Sequence, residues 1–391
     1  MKFYIVLAAC VGGIAATPFP NAVNVNDLDE RHPRKCQAKD RSCCQYLEYD
    51  YKDWHGYGPE YRHGRTITVK PGHKIQEAIN SASRGDRIVV EAGPYAEQLT
   101  IDKDGIQLIG HDAILTPPET PVENICSGLS GDGNQTGICV TGSGVELAPF
   151  VTEHKAFLSV QRPVKNVLIT GFQVKGFSGI NIAVVGARNA RVTKNTLTDG
   201  AMYGALTLGS IDTLIHENTV TSTTLSAIAV CMDNKSGVFI TKNQVSNHFV
   251  GLCVQTRGAE VRRNTVSGSC FGIFVDPGIE DAKIIRNYVG PPNPICSLFG
   301  VNSGIIVDGA INTKVLDNVV EGQKLDGKGV GISVVDDPCT QQPLSLKCLA
   351  LGRPAIASGN VVLRNTLKDN DLNLDVKTTG SNNLVACNRD V

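Results

Sequence analysis

The chain has 391 residues, 41% apolar and 19% charged, a balance that excludes disordered and collagen-like chains. Its 37 Lys and Arg stand against 38 Asp and Glu, so a net charge of −1 gives no global attraction to nucleic acid or to an anionic membrane. Aromatics make up 5% while glycine numbers 40, so core volume must come from Val, Ile and Leu between many turns, which favours a β-rich chain.

The N-terminus, Met1-Lys2-Phe3 and an apolar run from Ile5 to Ile14 ending in Ala15 and Ala16, reads as a secretory signal over residues 1–16. The run is too short to span a bilayer, and no later stretch is long enough. Residues 17–64 read as a propeptide or N-terminal arm: the basic stretch Arg31-His32-Pro33-Arg34-Lys35 marks either a second cut or part of a retained, frayed arm. The arm holds Cys36, Cys43 and Cys44, then Tyr46, Tyr49, Tyr51, Trp54, Tyr57 and Tyr61, an aromatic set suited to stacking on sugar rings or to packing over one end of the fold.

Of 13 cysteines, Cys10 falls in the signal and 12 remain. An even number in a secreted chain, scattered without CxxC or HxxxH spacing, reads as disulfides rather than zinc ligands. Cys126 with Cys139 and Cys339 with Cys348 each close a short excursion and are the expected local bridges. Sequons at Asn134 and Asn234 are expected glycosylation sites.

From residue 179 the chain repeats. A charged-Asn-x-apolar segment recurs at Asn195, Asn218, Asn243, Asn264, Asn287, Asn318 and Asn365. A small-apolar-x-apolar segment alternates with it, at Gly179, Ala205, Ala227, Gly251, Gly272, Gly304 and Gly331. Both have period two and read as short half-buried strands, about two dozen residues per unit, with no helical pattern to supply a crossover. Such units bury their apolar faces only by stacking. The expected fold is all-β, a right-handed parallel β-helix solenoid over residues 65–391, with the asparagines stacked as a structural ladder. Ile75, Ala78, Ile79 and Ala82, at helical spacing, predict an amphipathic helix capping its N-terminal end.

The stretch from Ile67 through Gly85-Asp86-Arg87-Ile88-Val89-Val90 to Gly93-Pro94-Tyr95-Ala96-Glu97 resembles the opening of pectin-lyase-like β-helix proteins. With the repeats, the resemblance covers residues 65–385 and extends to the NosD-like, carbohydrate-binding and sugar-hydrolase group. It implies the fold and leaves the activity open, since that fold hosts lyases, hydrolases, esterases, epimerases and non-enzymes. Gly93 to Glu97 resembles the GxYxE of pectinesterases and Leu351-Gly352-Arg353-Pro354 their LGRP, but their QAVAL, QDTL and DFIFG segments have no counterpart. The NTD, GHG and RIK segments of family 28 polygalacturonases and the DPHD of mannuronan epimerases are also absent.

On the strands after the small-apolar-x-apolar segments, the outward position reads Ala183, Gly209, Cys231, Gln255, Asp276, Asp308 and Val335, followed by Asp336 and Asp337. Asp276 and Asp308 should lie on consecutive coils about 4.8 Å apart, where one must keep its proton or a cation must sit between them. Asp276, Asp308, Asp336 and Asp337 are therefore the candidate catalytic carboxylates. Asp276 and Asp308 are also candidate calcium ligands, and the cofactor expectation is none or calcium. Gln255, Lys283, Arg257 and His248 are the candidate substrate-binding residues, the last three also candidate bases for β-elimination. The competing reading is that each Asp closes a turn before Pro or Gly. The loops at 290–303 and 336–358 flank the patch and are candidate walls. The charged residues before the ladder asparagines form either a basic stripe or a mixed-sign solvated face.

Two functions follow from these residues: a secreted, extracellular glycoside hydrolase or polysaccharide lyase, or a non-catalytic cell-wall or glycan-binding protein. In both, the partner is a polysaccharide met by a monomer, with neither nucleic acid nor membrane involved.

Overall fold

A computed structural model describes residues 64–391. The expected signal, the basic stretch at 31–35, Cys36, Cys43, Cys44 and the aromatic segment from Tyr46 to Tyr61 lie outside the described residues. Among the described residues, no helix is long and apolar enough to cross a membrane.

The repeats fold into stacked parallel coils. One sheet has ten strands, one per coil: β1 (Leu99–Ile101), β2 (Thr136–Thr141), β3 (Ile180–Val185), β4 (Tyr203–Leu208), β5 (Ser226–Asp233), β6 (His248–Val254), β7 (Phe271–Val275), β8 (Ser303–Asp308), β9 (Val330–Val335) and β10 (Leu372–Lys377). A second sheet takes two short strands from most coils, for example Ser236–Thr241 and Gln244–Ser246. Inward columns of Ile182, Ala205, Val230, Leu252, Ile273, Ile305 and Ile332, and of Val184, Met232, Val254, Val275, Val307 and Val334, form the continuous core.

The ten-stranded sheet departs from the half-buried expectation, because β2 to β8 are buried on both faces almost throughout. Its outer side carries a second apolar cluster, including Tyr203, Leu206, Phe249, Phe271, Phe274 and Ile306, roofed by loops. Disulfides Cys126–Cys139 and Cys270–Cys296 pin those loops, Cys231–Cys253 links β5 to β6, and Cys339–Cys348 closes the 336–358 excursion. Both expected local bridges are present.

The capping helix, α1 (Ile75–Ser81), buries Ile75, Ala78 and Ile79 against the first coils. Lys74 gives its N-terminus no side-chain cap, and the buried Glu97 carboxylate does so instead, accepting from the Ile75 and Gln76 amides at 2.8 and 3.1 Å. Tyr95 is buried and donates to the Glu91 carbonyl at 2.9 Å. The GxYxE-like stretch thus serves the first coil.

The asparagine ladder runs unbroken and gains Asn388 as its last member. In each step one side-chain oxygen accepts from both the backbone N–H and the side-chain amide of the asparagine one coil earlier, as Asn264 does from Asn243 at 2.9 and 3.0 Å. The same side-chain amide also donates to a strand carbonyl, Asn243 to Ile215 at 3.0 Å. The residue before each ladder asparagine turns through the left-handed region, with φ between +53° and +57° from Lys194 to Arg364. Glu217 pairs with Lys194 and Lys242, and Asp317 with Arg364, so this face carries mixed signs paired among themselves.

Asn234 does not fit as a glycan acceptor. It is buried, its side-chain amide donates to Thr207 Oγ1 at 2.9 Å and its oxygen accepts from the Ser210 amide, leaving no exposed nitrogen to modify. Asn134 is half-buried in a loop, donating to the Ser130 carbonyl.

Candidate active site

Register across the sheet places one outward position in line on successive coils: Val185, Leu208, Asp233, Gln255, Asp276, Asp308, Val335 and Lys377. From Gln255 to Val335 this is the column read from the sequence. The earlier coils shift, with Val185, Leu208 and Asp233 in place of Ala183, Gly209 and Cys231. Asp233 is the consequential gain. Segment Ala227 to Val230 fits the strand template, but pairing sets Val230 opposite Ala205 and Leu252, so β5 runs three residues further than that match implied.

Two loops close over the column. The antiparallel hairpin Ser143–Leu147 and Phe157–Arg162 carries Glu153 and His154 at its tip, Glu153 in the left-handed region at φ +50°. The 336–358 excursion carries Asp337, Ser345 and a short helix, α2 (Leu346–Leu351), which Ser345 caps through the Cys348 amide and Gly352 ends in the left-handed conformation. The LGRP-like stretch is therefore a helix terminus. Lys347 on α2 bonds Asp233 at 2.5 Å, and the Leu346 amide reaches Glu153 at 3.4 Å, so the two loops and the column hold one another.

Gln255 is the hub. Its side-chain nitrogen donates to Glu153 at 2.8 Å and to Asp276 at 2.7 Å, while its oxygen faces His154 Nε2 at 3.1 Å. The other ring nitrogen of His154 faces the Lys155 carbonyl at 3.1 Å. Glu153, Asp276, Asp308 and Asp337 line one cleft with Gln255, Phe274, Pro277 and Ser345, around a space of about 10 Å³, room for a single water molecule or ion.

All four carboxyl residues are buried, 2–5% exposed. Burial pushes Asp276 well above the ordinary carboxylate range, with the Glu153 charge adding to it, and Lys347 partly opposing. Asp308 is raised well above that range by burial and then by Asp337 and Asp276, and its Oδ1 has no hydrogen-bond partner. Burial also raises Glu153, against His154, and raises Asp337. Burial therefore favours the protonated form of these carboxyls, the tendency that a carboxylic acid needs in order to act as a proton donor.

The turn reading holds in part. Asp337 accepts from the Cys339 amide at 2.7 Å in a local turn, and the Asp276 carbonyl closes a turn to Ile279. The side chains of Asp276 and Asp308 take no part in turns.

The remaining sequence candidates do not reach the cleft. Asp336 points the other way, accepting from the Ala357 amide and from the amide and hydroxyl of Thr379 at 2.7–2.9 Å. Lys283 pairs with Glu260 at 2.8 Å on the second sheet. Arg257 is exposed and pairs with Glu280 and Asp281. His248 is buried against the Ser246 carbonyl and burial lowers its pKa to about 4. Strand alternation and the next coil's pairing direct these groups away, whatever their nearness in sequence.

A cation in the cleft would meet oxygens of Asp276, Asp308, Asp337 and Glu153. The close grouping of Asp337, Cys339 and Cys348 is no thiolate site, because both cysteines are tied up in their disulfide.

A family model described as a right-handed β-helix region matches residues 122–266. Among solved structures the chain is similar to the A-module of a mannuronan C-5 epimerase from Azotobacter vinelandii, with TM-score 0.52 and 13% identity over 81% of this chain and 92% of that one. It is also similar to a family 28 exopolygalacturonase from Yersinia enterocolitica, with TM-score 0.50 and 12% identity over 83% of this chain and 78% of that one. No curated protein matches the sequence. Identities this low carry the fold and nothing of the activity. The chain folds as a right-handed parallel β-helix.

Proposed function

We propose that this protein is a secreted glycan-cleaving hydrolase whose chemistry runs on the carboxyls of the Gln255 cleft. The observation that carries the reading is the convergence of Asp276, Asp308, Asp337 and Glu153 in one cleft, where burial raises the pKa of each. Asp308, the carboxyl crowded by two others, delivers its proton to the glycosidic oxygen. Asp337 is hydrogen-bonded to Asp308 and holds that proton in place until it is delivered, and Glu153, whose charged form His154 and Gln255 favour, accepts the proton of the attacking water. Gln255 holds Asp276 and Glu153 in place. The hydrolase is preferred over a calcium-dependent lyase because elimination needs a basic side chain, and Lys283, Arg257 and His248 lie elsewhere. The disulfides support an oxidising compartment.

The space between the carboxyls admits water but no sugar ring, so a substrate must enter with the 336–358 excursion displaced. That closed geometry also favours the second reading, a glycan-binding protein in which the acids only lock the loops.

A depolymerisation assay on neutral and acidic polysaccharides, with calcium and with chelator, separates these. New reducing ends without ultraviolet absorbance, lost in Asp308→Asn, support the hydrolase. Absorbance that chelator abolishes makes it a calcium lyase. Silence with retention on an insoluble glycan replaces both with the binding reading.

A further inference from the structure

The two ends of the solenoid are finished differently. Helix α1 covers the first coil. The last described coil consists of β10, Leu384–Ala386 and Arg389–Asp390, and each of these strands pairs only with the coil before it among the described residues. Leu372 and Val376 on β10 are 43% and 45% exposed, and the partly buried Leu374 and Val385 continue the core to this edge. An apolar row with unpaired backbone is a template for adventitious strand pairing unless something covers it.

Cys387 belongs to this coil and is disulfide-bonded. The other eight described cysteines bond one another in four pairs. Its partner must therefore come from residues 1–63, whose cysteines are Cys10, Cys36, Cys43 and Cys44. We infer that the segment from Cys36 to Cys44 docks on the C-terminal end of the solenoid through a bond from Cys36, Cys43 or Cys44 to Cys387.

The reach is sufficient. Gly64 is held to the first coils through the Gly85 carbonyl. Ten strands at ~4.8 Å spacing make a stack of roughly 45 Å, and the stretch from Cys44 to Gly64 spans up to about 65 Å when extended. Forming the bridge takes two protons and two electrons from the two thiols, passed to the same disulfide-bearing oxidant that forms the other four bonds. A cut after Lys35 keeps Cys36, Cys43 and Cys44 on the chain that continues to Gly64.

The test is peptide mapping of the purified full chain digested without reduction, with free thiols blocked. The expected result is a Cys387 peptide joined to one from the 36–44 region and released by reduction. A Cys387 peptide joined to any cysteine of residues 64–391, joined to a second chain, or found as the blocked free thiol overturns the inference. Amide exchange gives a second readout. In Cys387→Ser, the amides of β10 should exchange at least tenfold faster than in the wild type while those of β7 are unchanged, and equal exchange at β10 contradicts the docking.

Discussion

Two polar columns run along this solenoid, built by the same coil-on-coil register, and they are opposites. The asparagine ladder repeats one side chain that both donates and accepts, so each amide satisfies the next and the buried column closes on itself, Asn264 serving Asn243 and Asn287 serving Asn264. On the outer face of β5 to β8 the column reads Asp233, Gln255, Asp276 and Asp308, three carboxyls and one amide. Ionised carboxylates only accept, so stacking them multiplies repulsion where it multiplied bonds in the ladder. Gln255 and Lys347 relieve part of that conflict, and the rest appears as raised carboxyl pKa values and the orphaned Asp308 oxygen. A fold that can satisfy a buried polar column so completely, yet leaves one unsatisfied beside a cleft, marks that cleft as the place where stability yields to function.

The comparison can be broken at either column. Asp308→Asn should lower glycan hydrolysis by about 10²–10⁴-fold, the usual worth of a positioned general acid, without lowering the melting temperature at neutral pH, because it replaces a carboxyl the fold already prefers uncharged. Normal turnover in a folded variant removes Asp308 from the chemistry. Asn264→Ala should do the reverse. It strands the buried backbone and side-chain donors of Asn243, costing roughly 2–4 kcal/mol in chemical denaturation while leaving turnover per folded molecule intact. Asp336→Asn should cost about 1–3 kcal/mol through the Thr379 and Ala357 bonds, again without loss of turnover, and so serves as the control for its neighbour in sequence. The smallest effect is expected from Lys347→Met. Its charge holds Asp276 down, so removing it should move the pH–rate profile to higher pH, read from kcat/KM across the pH range.

Much of this was legible in the residues. The asparagine period and the alternating strands specify stacked coils because only stacking buries their apolar faces, and Gln255, Asp276 and Asp308 were aligned correctly because Gly251, Gly272 and Gly304 begin their segments in one register. Asp233 was hidden because Ala227 and Ala229 allow two registers and only pairing with β4 and β6 chooses. Glu153 and His154 gave no local signal, since they meet Gln255 from 102 and 101 residues away across a hairpin outside the repeat. Asp336 and Asp337 are adjacent and equally acidic, and only alternation along the chain sends one to the cleft and the other to Thr379.

The account rests on carboxyls whose pKa burial raises. A group whose pKa is raised in the folded state stabilises fully below its unfolded value and loses that contribution as pH rises through the folded one. Melting temperature measured against pH, wild type beside Asp308→Asn, tests this directly. The account predicts that the wild type loses stability as pH climbs from the ordinary carboxylate range toward neutrality and beyond, and that the variant's curve is flatter over the same window. Parallel curves, or a wild type whose stability does not fall, would contradict it.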